Sequence, residues 1–184
     1  NFLTMAAPRL AARDLPASVF LITDWVRPEG DGAPSRAWAE DDDARGMTWA
    51  EINELRSRGV EFGSHTCTHP RLPELADDEA ERELIRSRSL IAEHLDGGGT
   101  EGTALPFAYP YGAYTPALVE RARRAGYSCA LTTDAGANDA DTDLYELRRV
   151  LVGDGDDEAS FAARVSGLTA WLGRGLGAAR GAGY

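Results

Sequence analysis

The chain contains no lysine. Its 19 basic residues are all arginine, and they face 30 acidic residues for a net charge of −11. A surface of that sign repels phosphate backbones and anionic membranes, so nucleic acid is not an expected partner. Cysteine is scarce: Cys67 and Cys129 make no disulfide framework. No apolar run approaches the roughly 18 residues of a membrane-spanning helix. No secretory leader is legible, which leaves cytoplasm, cell envelope and exterior all open. Histidine occurs three times, and two of the three, His65 and His69, fall within one short segment.

What is present reads as one globular domain. The 184 residues are 43% hydrophobic, enough to bury a core. Near-continuous apolar runs at Ala17–Thr23, Val60–Ser64, Ala104–Tyr109, Tyr127–Thr133 and Leu147–Val152 read as strands. That at Ala17–Thr23 suits a strand buried on both faces of a parallel sheet. Helical patterns separate the runs. Leu3–Arg13 reads as a helix with Met5, Ala6 and Leu10 inward and Pro8 disturbing it. Thr48 opens another with a capping box to Glu51 and a Met47–Ile52 staple, and Gly59 ends it.

Asp77 or Asp78 caps a longer helix with the stripe Ala80, Leu84, Ile91, Leu95. Glu79–Arg82 and Glu83–Arg86 are spaced there as surface pairs, and His94 suits that helix's C-terminal dipole. Thr115-Pro116 starts a helix that Gly126 stops, and Asp157–Leu172 reads as the last. Residues 24–46 read as a long polar loop. Asp41–Asp43 and Asp154–Asp157 read as solvated acidic loops. Strands alternating with helices imply βαβ units on a parallel sheet, an α/β fold. The domain is expected over residues 1–172, with a flexible Gly-rich tail at 173–184.

His65 and His69 sit in Gly63-Ser64-His65-Thr66-Cys67-Thr68-His69-Pro70, just after a strand. Two imidazoles on one short loop are what a first-row divalent metal needs. The helical zinc-protease motif does not fit, because Thr66 stands where its Glu would be and Pro70 follows at once. Cys67 lies between the pair, but extended backbone would turn its side chain away, so it reads as packing.

This segment resembles the second motif of the polysaccharide deacetylases, carbohydrate esterase family four, which reads His-Ser/Thr-x-x-x-His. Phe107-Ala108-Tyr109-Pro110-Tyr111-Gly112 resembles the third motif, Arg-x-Pro-Tyr-Gly, with Ala108 in the arginine's place. Asn1–Thr23 resembles the stretch that follows the first motif, Thr-Phe-Asp-Asp-Gly. The resemblance runs from Asn1 to about Val152. The first motif itself is absent, the fourth has no clean match, and no histidine beyond His94 serves for the fifth.

The resemblance implies a distorted (β/α) barrel whose first strand is missing here, with the site at the strands' C-terminal ends. It implies a hydrolase that removes N- or O-linked acetyl groups from a carbohydrate, an amino-sugar polymer or oligomer first among them. His65 and His69 would hold a divalent metal, zinc first, and an absent Asp would complete the site. Tyr111 would give its backbone N–H to the oxyanion. Tyr109 and Pro110 would line the substrate, and Arg148 or Arg149, with Arg149 first, would supply a cation from another strand in place of the lost arginine. Two alternatives stand beside this reading. One is a non-catalytic carbohydrate-binding relative. The other is a different metal-dependent amidohydrolase whose third ligand is Asp24 or Asp134. Oligomeric state is not legible.

Overall fold

The five apolar runs form five parallel strands lying side by side in chain order: β1 (Ala17–Leu21), β2 (Val60–Ser64), β3 (Pro106–Ala108), β4 (Cys129–Ala135) and β5 (Leu147–Arg149). The computed structural model describes residues 2–30, 46–96, 104–153 and 155–166. The expected tail, the acidic run Asp41–Asp43, most of the loop at 24–46 and the end of the expected last helix lie outside them.

Helices α1 (Ala7–Ala11), α2 (Trp49–Ser57), α3 (Asp77–Asp96) and α4 (Pro116–Arg124) each precede one of β1 to β4; β4 runs to β5 without a helix, and α5 (Glu158–Val165) follows β5. Crossovers between parallel strands are right-handed, so a strand order that never reverses keeps their helices on one side. A doubly wound sheet would reverse its order at a switch point. The described strands therefore form an open arc wound as in a (β/α) barrel, the expected class.

Local chemistry explains most of the boundaries. Thr48 Oγ1 accepts from Glu51 N–H at 3.2 Å, and Glu51 Oε2 accepts from Thr48 N–H at 2.8 Å, so the capping box is formed. Gly59 leaves α2 with φ 90°. Thr115 caps α4 with Pro116 in its first turn, and Asp157 caps α5. Ala80, Leu84 and Ile91 are buried along one stripe of α3, and Leu95 packs against the same core. His94 stacks on Trp49, ring centroids 4.1 Å apart, away from the other two histidines.

Four expectations need correction. The first helix is split: Phe2–Ala6 forms a wide π-type turn, and only Ala7–Ala11 is α-helical. Pro8 has no N–H to give the preceding turn, and Met5 is exposed rather than inward. β1 is not buried on both faces, because it pairs only with β2 among the described strands and exposes Ser18, whose hydroxyl donates to Glu61 at 2.9 Å. β5 stops at Arg149, leaving Val150–Val152 exposed. The pairs Glu79–Arg82 and Glu83–Arg86 do not form. Arg82 binds Asp78 at 2.6 Å, Arg86 binds Asp24 at 3.1 Å, and Glu83 turns to a loop. Spacing of three or four on a helix permits a pair, but Arg82 takes Asp78 one turn back on the same helix, and Arg86 and Glu83 take partners on other elements.

Candidate active site at the strand C-termini

The C-terminal ends of β1, β2 and β3 meet at His65. The histidine follows β2 directly, and its N–H donates to Leu21 O at 2.8 Å, tying it to the end of β1. Its Nδ1 lies 2.6 Å from Ala108 O at the end of β3. A carbonyl only accepts, so Nδ1 carries the proton and Nε2 is left with a free lone pair. Burial, chiefly, pushes the His65 pKa down to about 4, with the charges of His69 and Arg149 adding to the effect. The ring is therefore neutral at pH 7.

His69 returns its ring to the same point. His69 Nε2 is 3.2 Å from His65 Nε2. That return needs left-handed backbone at Thr66 (φ 69°) and at His69 itself (φ 62°). A β-branched residue avoids this region, and such a residue costs about 1–3 kcal/mol. Local bonds hold it: Thr66 is fully buried, and its hydroxyl accepts from His69 N–H at 3.0 Å. Trp25, just past β1, tilts against His69 at 5.8 Å between centroids.

Opposite stands the turn after β3. Tyr111 is left-handed too (φ 58°), and Gly112 follows at φ 65°. Tyr111 is half exposed, with its ring 4.6 Å from that of His69 and the Arg71 guanidinium 4.6 Å over its own centroid. The turn's two hydrogen bonds run from Gly112 N–H to Tyr109 O and from Ala113 N–H to Pro110 O, and neither uses the Tyr111 N–H.

Tyr109 and Pro110, expected to line the substrate, are instead buried. The Tyr109 ring packs on Phe107 and Tyr114, its hydroxyl donates to Tyr145 O at 3.1 Å, and burial raises its pKa far above the usual range. A residue just past a strand, flanked by packed aromatics, buries its ring for the same reason they do.

Arg149 reaches the mouth from β5. Its Nε donates to Thr132 O at 2.6 Å, and its charge is felt at His65. Partial burial lowers its own pKa. Asp24 is tied to Arg86, and Asp134 accepts from Tyr114 Oη at 2.8 Å. Among the described residues, no third His, Cys, Asp or Glu groups with the histidine pair. Asp24 and Asp134 are thereby engaged elsewhere. Cys67 is buried and directs its thiol at Glu83 O, 3.7 Å away.

Sequence reasoning missed Glu83. The signal was available: the Cys67 and Thr68 amides lie in a loop outside strand and helix, and such donors require an acceptor. An acid on the next helix, two turns in, was the candidate.

A singly wound parallel sheet with a histidine pair and a Tyr-Pro-Tyr-Gly turn at its C-terminal mouth defines a barrel-type α/β protein with its polar centre where such folds place their chemistry. Residues 1–130 match the polysaccharide deacetylase family, and the chain belongs to that family. It is 28% identical over 122 residues to YxkH of Bacillus subtilis (strain 168), which carries a polysaccharide deacetylase name; this covers 66% of the chain and 42% of the relative. The fold is similar to that of the Streptococcus pyogenes deacetylase PplD, solved in complex with acetate: TM-score 0.71, 23% identity, 89% of this chain and 64% of that one. It is also similar to IcaB from Ammonifex degensii: TM-score 0.63, 27% identity, covering 89% and 67%. The chain thus spans less than two thirds of the length of YxkH and PplD.

Proposed function

We propose that the chain is the metal-binding and catalytic part of a hydrolase that removes acetyl groups from a carbohydrate, an amino-sugar polymer or oligomer first. One observation carries the reading: the 3.2 Å separation of His65 Nε2 and His69 Nε2. At zinc–nitrogen distances of about 2.0–2.1 Å, two ligands of a tetrahedron stand about 3.3 Å apart. The donor set therefore fits zinc or a similar divalent cation held by His65 and His69. Such a cation would polarise the acetyl carbonyl and bring the pKa of a water to roughly 7.

The remaining roles belong to the chain's own groups. Ala108 O fixes the His65 tautomer so that Nε2 faces the site. The Tyr111 N–H, not taken up by its own turn, serves as donor to the oxyanion that develops on the acetyl oxygen; one such donor is worth about 3 kcal/mol. Arg149 contributes a fixed positive charge where the family motif carries an arginine and this chain carries Ala108. Tyr109 and Pro110 act through the shape of the turn rather than through contact.

A second reading is favoured by Ala108 alone. Without the motif's arginine, the chain is a non-catalytic carbohydrate-binding relative. Metal analysis after dialysis separates the possibilities, combined with acetate release from N-acetylglucosamine oligomers. About one divalent ion per wild-type chain, lost in His65→Ala/His69→Ala, is the expected result. Equal metal in both overturns the site assignment. Metal and oligomer retained without acetate released, even by a chain extended upstream with an Asp-Asp-Gly strand, supports the second reading.

A further inference from the structure

Between the two imidazoles the chain passes through Thr66, Cys67 and Thr68, outside every strand and helix. Its N–H groups find their acceptor on another element. Glu83, in the second turn of α3, accepts from Cys67 N–H at 2.7 Å and Thr68 N–H at 3.0 Å through Oε2. Its Oε1 accepts from the Thr68 hydroxyl at 2.8 Å. Bonds to a carboxylate are shorter and stronger than neutral ones. From the other side, Thr66 O and Cys67 O accept from Thr23 N–H at 3.1 Å and Asp24 N–H at 3.0 Å. The segment is clamped between α3 and the end of β1, and on the α3 side its amides are held by a single carboxylate. Helix α3 is itself anchored through buried Ala80, Leu84 and Ile91, so Glu83 transmits a rigid position.

We propose that Glu83 is a positioning residue for the histidine pair. Its carboxylate holds the strained Thr66–Thr68 path, and so sets the gap between His65 Nε2 and His69 Nε2 and the cation affinity of the site. The proposal rests on the two-histidine reading above. Orienting groups behind metal ligands typically matter 10–100-fold in affinity. Glu83→Ala removes the three carboxylate bonds of the clamp and leaves the Thr23 and Asp24 side in place. Glu83→Gln keeps an oxygen for both amides and turns its NH2 to the Thr68 hydroxyl, which then accepts, so the clamp survives without its charge.

The test is zinc affinity of the whole chain, measured by competition with a chromophoric chelator, beside the visible spectrum of the cobalt(II) form. Glu83→Ala should weaken zinc 10–100-fold and alter the cobalt spectrum, while Glu83→Gln should stay within a few-fold of wild type. Ile91→Val, a core truncation on the same helix, serves as the stability control and should leave affinity unchanged. Wild-type affinity in Glu83→Ala overturns the proposal. So does equal weakening in Ile91→Val, which would mean stability alone, or in Glu83→Gln, which would mean charge alone. If wild type takes up no more zinc than His65→Ala/His69→Ala, the metal reading fails on its own. The positioning role is then decided without metal: a ring-to-ring nuclear Overhauser contact between His65 and His69 that persists in Glu83→Ala overturns it, and its loss upholds it.

Discussion

The two turns that face each other across the mouth solve one backbone problem in opposite ways. Both carry non-glycine residues in the left-handed region, Thr66 and His69 in one and Tyr111 in the other. The histidine loop is held by polar contacts from outside: Glu83, Thr23 and Asp24. The tyrosine turn is held by fit. Pro110 is buried, and a Cβ on Gly112 would stand 1.9 Å from Thr133 Oγ1. A loop tied by hydrogen bonds can be loosened in steps, because each bond is worth about 1 kcal/mol. A turn closed by missing volume has no intermediate setting. The adjustable side carries the candidate cation ligands, and the rigid side carries the candidate oxyanion donor.

Gly112→Ala should show the largest effect. It adds overlap with Thr133 to a φ that L-residues avoid, a combined loss of roughly 2–5 kcal/mol. The urea midpoint reads it, and Thr133→Ala placed on top should restore part. A single-variant loss under about 0.5 kcal/mol would end the claim that fit closes this turn.

Thr66→Val comes next. The shape is kept, but His69 N–H loses its acceptor, which costs about 1–3 kcal/mol. The same denaturation measurement checks it, and an unchanged midpoint would mean that the loop's own hydroxyl contributes nothing to its hold.

Acid should act on the histidine loop and spare the turn, since Tyr109–Gly112 has no group that titrates below pH 7. The His65 pKa is depressed from 6.5 to about 4 in the folded chain. The unfolded chain thus takes up the proton first. The contribution of neutral His65 is fully present above pH 6.5, falls as pH drops from 6.5 toward 4, and levels once the folded form is protonated as well. Melting temperatures of the metal-free chain, compared with His65→Asn across that range, should converge as pH falls. Parallel curves would show that His65 does not titrate as a buried base.

Cys67→Ser should have the smallest effect, with metal content intact, because the thiol points at Glu83 O. A large loss of bound metal in this variant would make Cys67 a ligand.

Much of the frame is legible in the residues because its determinants are local. The Thr48–Glu51 box and the Thr115-Pro116 start act within one turn, and the period of the apolar runs separates strand from helix. The strand order follows once parallel neighbours and right-handed crossovers are granted. What escapes is whatever depends on a partner distant in sequence. Glu83 has an arginine three residues away, yet it serves amides 15 and 16 positions back. Tyr109 looks like a groove residue in a polar motif, but neighbouring Phe107 and Tyr114 fix it in the core. The exposure of β1 depends on which strands flank it, information that no run of apolar residues contains.

The acceptor that orients His65 is a main-chain oxygen, Ala108 O. Every residue type supplies that atom. The side chain at position 108 can therefore be exchanged without costing the imidazole its tautomer. A substitution there acts on the charge and volume beside the ring, while the ring's orientation belongs to the strand itself.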